Sequence, residues 1–187
     1  MAVIGAGPVG QMTVQYAKLC GAVRVVSIDR VQKRVLCALE SGATDGLVMD
    51  AKDAIPEIEK LLGAKPEVVF DATGNYEVLP IACNMAQFYG RVILNGDCPE
   101  PSRQCLGPVV SKSLEIHGTH GNKPGDIVSL PWVAKRNTQM NFDLMKQKRI
   151  KVKHLNTNRF KPEEAPDVYR RMFEDRYFTI GVLFDWQ

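Results

Sequence analysis

Histidine is scarce in this chain of 187 residues and its cysteines do not pair off: there are three of the former and five of the latter. No CxxC couple and no Cys/His pair at metal-ligand spacing occurs among Cys20, Cys37, Cys83, Cys98 and Cys105. That argues against a zinc-finger module, and the odd number argues against a disulfide framework. Cys20, Cys37 and Cys83 read as small buried hydrophobes on helices. Cys98 and Cys105 flank a loop of Pro and Ser and are the candidates for exposed thiols. No apolar run approaches the roughly 20 residues that span a bilayer, and no charged-then-apolar leader precedes the first strand. A soluble, cytoplasmic protein with no membrane partner is the expectation. A net charge of +3 is too small to imply a nucleic-acid partner. The basic stretch from Lys135 to Lys161 reads as a solvated helix and loop, with Asp143 as its counter-charge. No serine has a nucleophile-elbow setting, and no two carboxylates stand at a spacing that suggests acid and base roles. Chemistry must then come from a bound cofactor or from outside the chain.

What is present begins at the first residues. Ala2, Val3 and Ile4 form a short apolar run, and Gly5, Gly7 and Gly10 follow in the pattern GxGxxG before a helical stretch from Pro8 to Leu19. In a strand, tight turn and helix of this kind, the first glycine makes the turn, the second admits a pyrophosphate, and the third lets helix and strand pack closely. Pro8 suits the first helical turn, where a missing N–H matters little. The free amides of that turn then face phosphate oxygens. A second apolar run, Val23 to Ile28, ends in Asp29, nineteen residues after Gly10, where a carboxylate meets a ribose diol. Dinucleotide binding follows from the two features together. Asp29 favours NAD because a carboxylate repels a 2′-phosphate, while Arg30 and Arg34 pull towards NADP as possible phosphate receivers.

The same alternation continues along the chain. Strands are expected at Leu47 to Met49, Glu67 to Phe70, Arg91 to Leu94 and Leu114 to His117, with helices at Val31 to Ser41, around Pro56 to Gly63, and at Tyr76 to Phe88. This is the pattern of an α/β Rossmann fold, a doubly wound parallel sheet of six strands in the order 3-2-1-4-5-6. Asp71 to Gly74 leave the fourth strand beside the switch point, where Thr73 or Asn75 can also cap the next helix. Another helix spans Pro131 to Lys148, after which the character changes. His154 to Phe160 is polar and extended, Pro162 to Phe173 is helical, and Phe178 to Phe184 is a strand. The expected division is a dinucleotide-binding domain over residues 1–150 and a small α+β appendage over residues 151–187, too small to bury its own core.

The segments VIGAGPVGQMTVQYAKLCGA, VVSIDR, VVFDATGN, GRVILNGD, LEIHGTHGN, NRFKPEEAPDVYRRM and GVLFDW occur in that order. Together they resemble the cofactor-binding half and C-terminal return of the zinc-type alcohol dehydrogenases, the medium-chain dehydrogenases, and within them the threonine and sorbitol branch. The resemblance implies an oxidoreductase that moves hydride between an alcohol or polyol and a nicotinamide ring. It implies Gly5, Gly7, Pro8, Val9 and Gly10 at the pyrophosphate, and Asp29 with Arg30 at the adenosine ribose. It also implies Thr73 with Gly74 beside the adenosine, and Asn95, Gly96, Gly118, Thr119 and His120 around the nicotinamide. In that family a catalytic domain with the zinc ligands precedes this half, so zinc is expected only there, no catalytic or metal residue carries over, and the appendage is expected to pack on that domain. A homodimer through the sixth strand is implied as well. The rival readings are a stand-alone dinucleotide-binding sensor or regulatory module, and a methyltransferase.

Overall fold

The computed structural model describes residues 1–119, 134–175 and 177–187. Short apolar strands alternate with helices from the start: Ala2–Ile4 (β1), Pro8–Leu19 (α1), Val26–Asp29 (β2), Gln32–Glu40 (α2), Asp45–Val48 (β3), Ile55–Leu62 (α3), Val68–Asp71 (β4), Val78–Met85 (α4), Arg91–Leu94 (β5), Val109–Lys112 (α5) and Glu115–Gly118 (β6). All pairings are parallel and the sheet order is β3-β2-β1-β4-β5-β6. β1 is central, with Ala2 opposite both Val26 and Val69. Because side chains alternate along a strand, Ala2 and Ile4 join one core with Ile58, Leu79 and Met85, while Val3 joins another with Val14 and Ala38. Both faces of the sheet are thus buried, as the unbroken apolar strands require.

Several elements are shorter or displaced from their expected bounds. Val23 stays exposed because the chain first closes α1, with the Ala22 N–H donating to the Ala17 carbonyl. Cys20, expected to be buried, is exposed: it is the residue at which α1 ends, so its side chain leaves the packed helix face. Cys37 and Cys83 are buried as expected, and burial pushes the Cys83 thiol up to about 11. The helix expected from Tyr76 begins only at Val78, since Asn75 first makes a turn by accepting the Glu77 N–H at 3.0 Å. It ends at Met85 because Ala86 is extended. There the Lys112 ammonium donates to the carbonyls of Cys83, Asn84 and Ala86, a cation placed at a helix C-terminus. Trp132 and the start of the next expected helix lie outside the described residues, and that helix is described from Ala134 to Lys146 (α6).

Beyond α6 come Asn156–Phe160 (β7), Ala165–Glu174 (α7) and Gly181–Phe184 (β8). β7 and β8 pair in parallel as a separate two-stranded sheet, which α7 connects. This appendage folds back on the Rossmann sheet's helices. Leu155 and Ile180 bury against Cys37, with Met12 and Val152 alongside. Gln15 clamps the backbone of Lys151 from both sides, donating to its carbonyl at 2.9 Å and accepting its N–H at 2.7 Å.

A buried polar chain joins the same surfaces. Gln11, fully buried, donates both amide hydrogens, to the carbonyls of Ala6 at 2.8 Å and Arg34 at 2.9 Å. Its carbonyl oxygen therefore accepts the Ser41 hydroxyl at 2.9 Å, and His154 Nε2, 2.7 Å from Ser41 Oγ, carries the hydrogen between them. Burial holds the His154 pKa below 6.5, the nearby Lys151 acting in the same direction and Glu40 against. The unfolded chain then binds the extra proton first as pH falls. His154 is accordingly expected to contribute stability that is present above pH about 6.5 and lost as pH drops through that value towards its folded pKa. Urea unfolding midpoints measured across this range, with His154→Gln as the flattened control, check the sign.

Candidate functional site

The carboxyl ends of β1, β2 and β4 converge where α1 begins. Gly5 turns the chain at φ +89°, its N–H donating to the Ile28 carbonyl at 2.8 Å. α1 then passes so close over this turn that a Cβ on Gly10 would lie 1.8 Å from the Gly5 oxygen. Gly7 differs, for a Cβ there would meet nothing within 4 Å. Gly7 is also the cap residue of α1, with no side-chain cap, Pro8 following it and no acidic residue in the first turn. The positive end of a twelve-residue helix is therefore left facing open space.

Asp29 ends β2 and anchors the turn. One carboxylate oxygen accepts the Ala6 N–H at 2.8 Å and the other the Val31 N–H at 2.9 Å. Arg34 lies 4.0 Å from the same carboxylate and donates to the Thr179 carbonyl at 3.1 Å, while Arg30 lies 3.8 Å from Asp50. These groups border a cavity of about 270 Å³ that also meets Gly5, Gly7, Thr73, Asn75 and Tyr177. Opposite Asp29, the buried Asp71 accepts both the N–H of Thr73 at 2.9 Å and its hydroxyl at 2.6 Å. Burial pushes the Asp71 carboxyl up, and the two Thr73 bonds oppose that shift. Thr73 Oγ1 in turn accepts the Asn75 N–H at 3.1 Å, so the loop that lines the cavity is held by its own side chains.

Gly74 and Gly96 come together for a packing reason. A Cβ on Gly74 would lie 2.3 Å from the Asp97 oxygen, and one on Gly96 would lie 2.2 Å from the Gly74 nitrogen. The loops after β4 and β5 touch backbone to backbone. On the other flank of the glycine turn, Pro8, Val9, Thr13, Tyr16 and Asn95 line an apolar groove of about 580 Å³. Asn95 donates to Thr13 Oγ1 at 3.0 Å, and Thr13 to the Val9 carbonyl at 2.9 Å. The Thr119 hydroxyl, just beyond Gly118 at the end of β6, lies 2.8 Å from Asn95 Oδ1. One chain of polar contacts thus ties β6, β5 and α1 along the sheet edge. His120 lies outside the described residues.

Sequence reasoning missed Tyr177, Asp50 and Gln11. Gln11 had a signal, a polar residue on the helix face that packs on the strand. Tyr177 had none, because only the fold brings the appendage to this cavity. Among the described residues no three His, Cys, Asp or Glu side chains cluster as metal ligands, and no helix is long and apolar enough to cross a membrane.

Comparison with known proteins agrees with this fold. A family model for zinc-binding dehydrogenases matches residues 8–135. The L-threonine 3-dehydrogenase of Bacillus licheniformis is 32% identical over 127 residues, covering 66% of this chain and 36% of that protein. The sorbitol dehydrogenase of Rattus norvegicus is 30% identical over 172 residues, covering 89% of this chain and 44% of its own. Among solved structures, a short chain alcohol dehydrogenase from Escherichia coli CFT073 complexed with NADH superposes with a TM-score of 0.78 at 25% identity, over 99% of this chain and 51% of that one. A candidate zinc-binding dehydrogenase from Sinorhizobium meliloti 1021, bound to NADP, gives 0.72 at 27% identity over 89% and 47%. The chain spans about half the length, or less, of these relatives. By the family model over residues 8–135, which spans five of the six strands of the parallel sheet, this chain belongs to the zinc-binding dehydrogenase family.

Proposed function

We propose that this chain is the NAD-binding portion of a zinc-dependent alcohol or polyol dehydrogenase and does not turn over substrate alone. One observation carries the reading: the open space at Gly7, facing the uncapped start of α1 beside the Asp29 cavity. A pyrophosphate is the ligand chemistry that such a feature suits, since helix amides and dipole favour an anion and a side chain is lacking where it would approach. The cofactor, when bound, supplies hydride exchange at its nicotinamide ring. Gly5, Gly7, Pro8, Val9 and Gly10 would hold the pyrophosphate, and Asp29 the adenosine ribose with Arg30 and Arg34 at its border. Thr73 and Gly74 border the adenosine side, and Asn95, Gly96, Gly118 and Thr119 orient the nicotinamide end. The catalytic zinc would be held by the other half of the enzyme. The exposed aromatic residues Tyr169, Phe173 and Trp186 support docking of residues 151–187 on that half.

Titration with NADH, followed through tryptophan fluorescence, is expected to saturate, whereas S-adenosylmethionine has no effect. Polyol oxidation by the homogeneous chain is expected to be nil with or without zinc. Saturable binding of S-adenosylmethionine alone, or zinc-dependent turnover, would overturn the reading. Among the described residues β6 pairs on one side only, with β5, and that edge supports a two-fold dimer, which light scattering would register as twice the 20.8 kDa chain.

A further inference from the structure

Tyr177 sits in the turn before β8, with its N–H donating to Asp175 at 2.8 Å, and its ring reaches the cavity that Asp29 borders. Both neighbouring guanidinium groups approach that ring within cation–π range, Arg30 at 5.8 Å from the centroid and Arg34 at 5.7 Å. Among the described residues, Arg30 and Arg34 are the cations that border this cavity beside the Asp29 carboxylate. Arg34 is further committed to the Thr179 carbonyl and to Asp29, whereas the 3.8 Å approach of the exposed Arg30 to a half-buried Asp50 contributes little. The aromatic ring is therefore the contact the two arginines share.

We propose that Tyr177 is a specificity-determining residue for the nucleotide, holding Arg30 and Arg34 on its ring so that they do not converge on a 2′-phosphate. The proposal rests on the dinucleotide reading above. A phosphomonoester carries nearly two negative charges and is best met by several guanidinium N–H groups aimed at one point. Arginines held towards the Tyr177 ring give up those cation–π contacts when they take that arrangement. Asp29 then remains the polar group at the ribose, and a free 2′-hydroxyl is the partner that suits it. The selecting device is supplied from the appendage, across the chain from the glycine turn. Tyr177 is about half exposed, so its side chain can be exchanged without opening the core.

The test measures dissociation constants of NADH and NADPH by nicotinamide fluorescence for the parent chain, Tyr177→Leu and Tyr177→Phe. Leucine keeps apolar bulk and loses the ring face, whereas phenylalanine keeps the face. The parent is expected to prefer NADH, and Tyr177→Leu to shift the ratio of the two constants about tenfold towards NADPH, as two lost cation–π contacts allow. Tyr177→Phe is expected to stay within about twofold of the parent. An unchanged ratio in Tyr177→Leu with NADH still bound overturns the role of Tyr177 and leaves the site intact. Equal weakening of both nucleotides also overturns it, by showing a ring that contacts the nucleotide without selecting. A parent that prefers NADPH overturns it too. A parent that binds neither nucleotide removes the dinucleotide reading itself.

Discussion

Gly7→Val is expected to lower NADH affinity by at least about a hundredfold while leaving the unfolding midpoint near that of the parent, and Gly10→Ala to do the reverse in kind. The two glycines stand three residues apart in one motif, yet the space around them differs. A side chain on Gly7 meets no protein atom within 4 Å, and its φ of −69° with ψ of −172° is extended backbone open to valine. The isopropyl group would then occupy the space assigned to the pyrophosphate. At Gly10 the first added carbon falls 1.8 Å from a backbone oxygen, which no rotamer change can relieve. Separation of α1 from β1 follows, at about 3 kcal/mol or more, or roughly 10 °C in midpoint for a chain of this size. Thermal unfolding beside NADH titration reads both variants. Unchanged affinity in Gly7→Val would remove the glycine turn from the site.

The second large effect is at Asp29. Asp29→Ala is expected to weaken NADH about ten- to a hundredfold and to relax discrimination against NADPH, because a hydrogen bond to a charged group is worth about 1.5–3 kcal/mol. The structure adds a second consequence. The carboxylate also accepts the N–H groups of Ala6 and Val31, so its loss leaves both without an acceptor and loosens the turn it serves. Asp29→Asn retains an acceptor oxygen and is expected to keep more stability than alanine while still losing nucleotide affinity. Chemical denaturation and paired NADH and NADPH titrations separate the two effects. Equal affinity of Asp29→Ala and the parent for NADH would place the ribose elsewhere.

The strand and helix sequence of the Rossmann sheet was written locally. Apolar runs as short as Ala2 to Ile4 and Arg91 to Leu94, separated by helices with Pro8 or Pro56 in their first turns, admit few arrangements other than a parallel sheet covered on both faces. GxGxxG and Asp29 marked the turn and its anchor because backbone approach and a carboxylate are properties of residue type and spacing. The roles within that motif were not legible at the same level. Gly10 is required by the close passage of α1 over the Gly5 turn, Gly5 has a positive φ and faces Ala72 and Thr73 of the loop after β4, and Gly7 alone of the three faces open space. Gly74 and Gly96, expected only as ligand contacts, are required where two loops touch. Cys20 looked like its buried counterparts Cys37 and Cys83 because composition does not reveal where a helix stops turning inwards. The appendage depended most on tertiary structure. Its short strands state no partner, and only long-range burial of Leu155 and Ile180 on Cys37, with the Gln15 clamp on Lys151, brings it against the sheet domain. The sequence by itself determined a dinucleotide-type fold and the carboxylate beside its glycine turn, which depend on near neighbours. The tertiary structure alone decided that Tyr177 would meet Arg30 and Arg34, because that contact depends on where a distant segment docks.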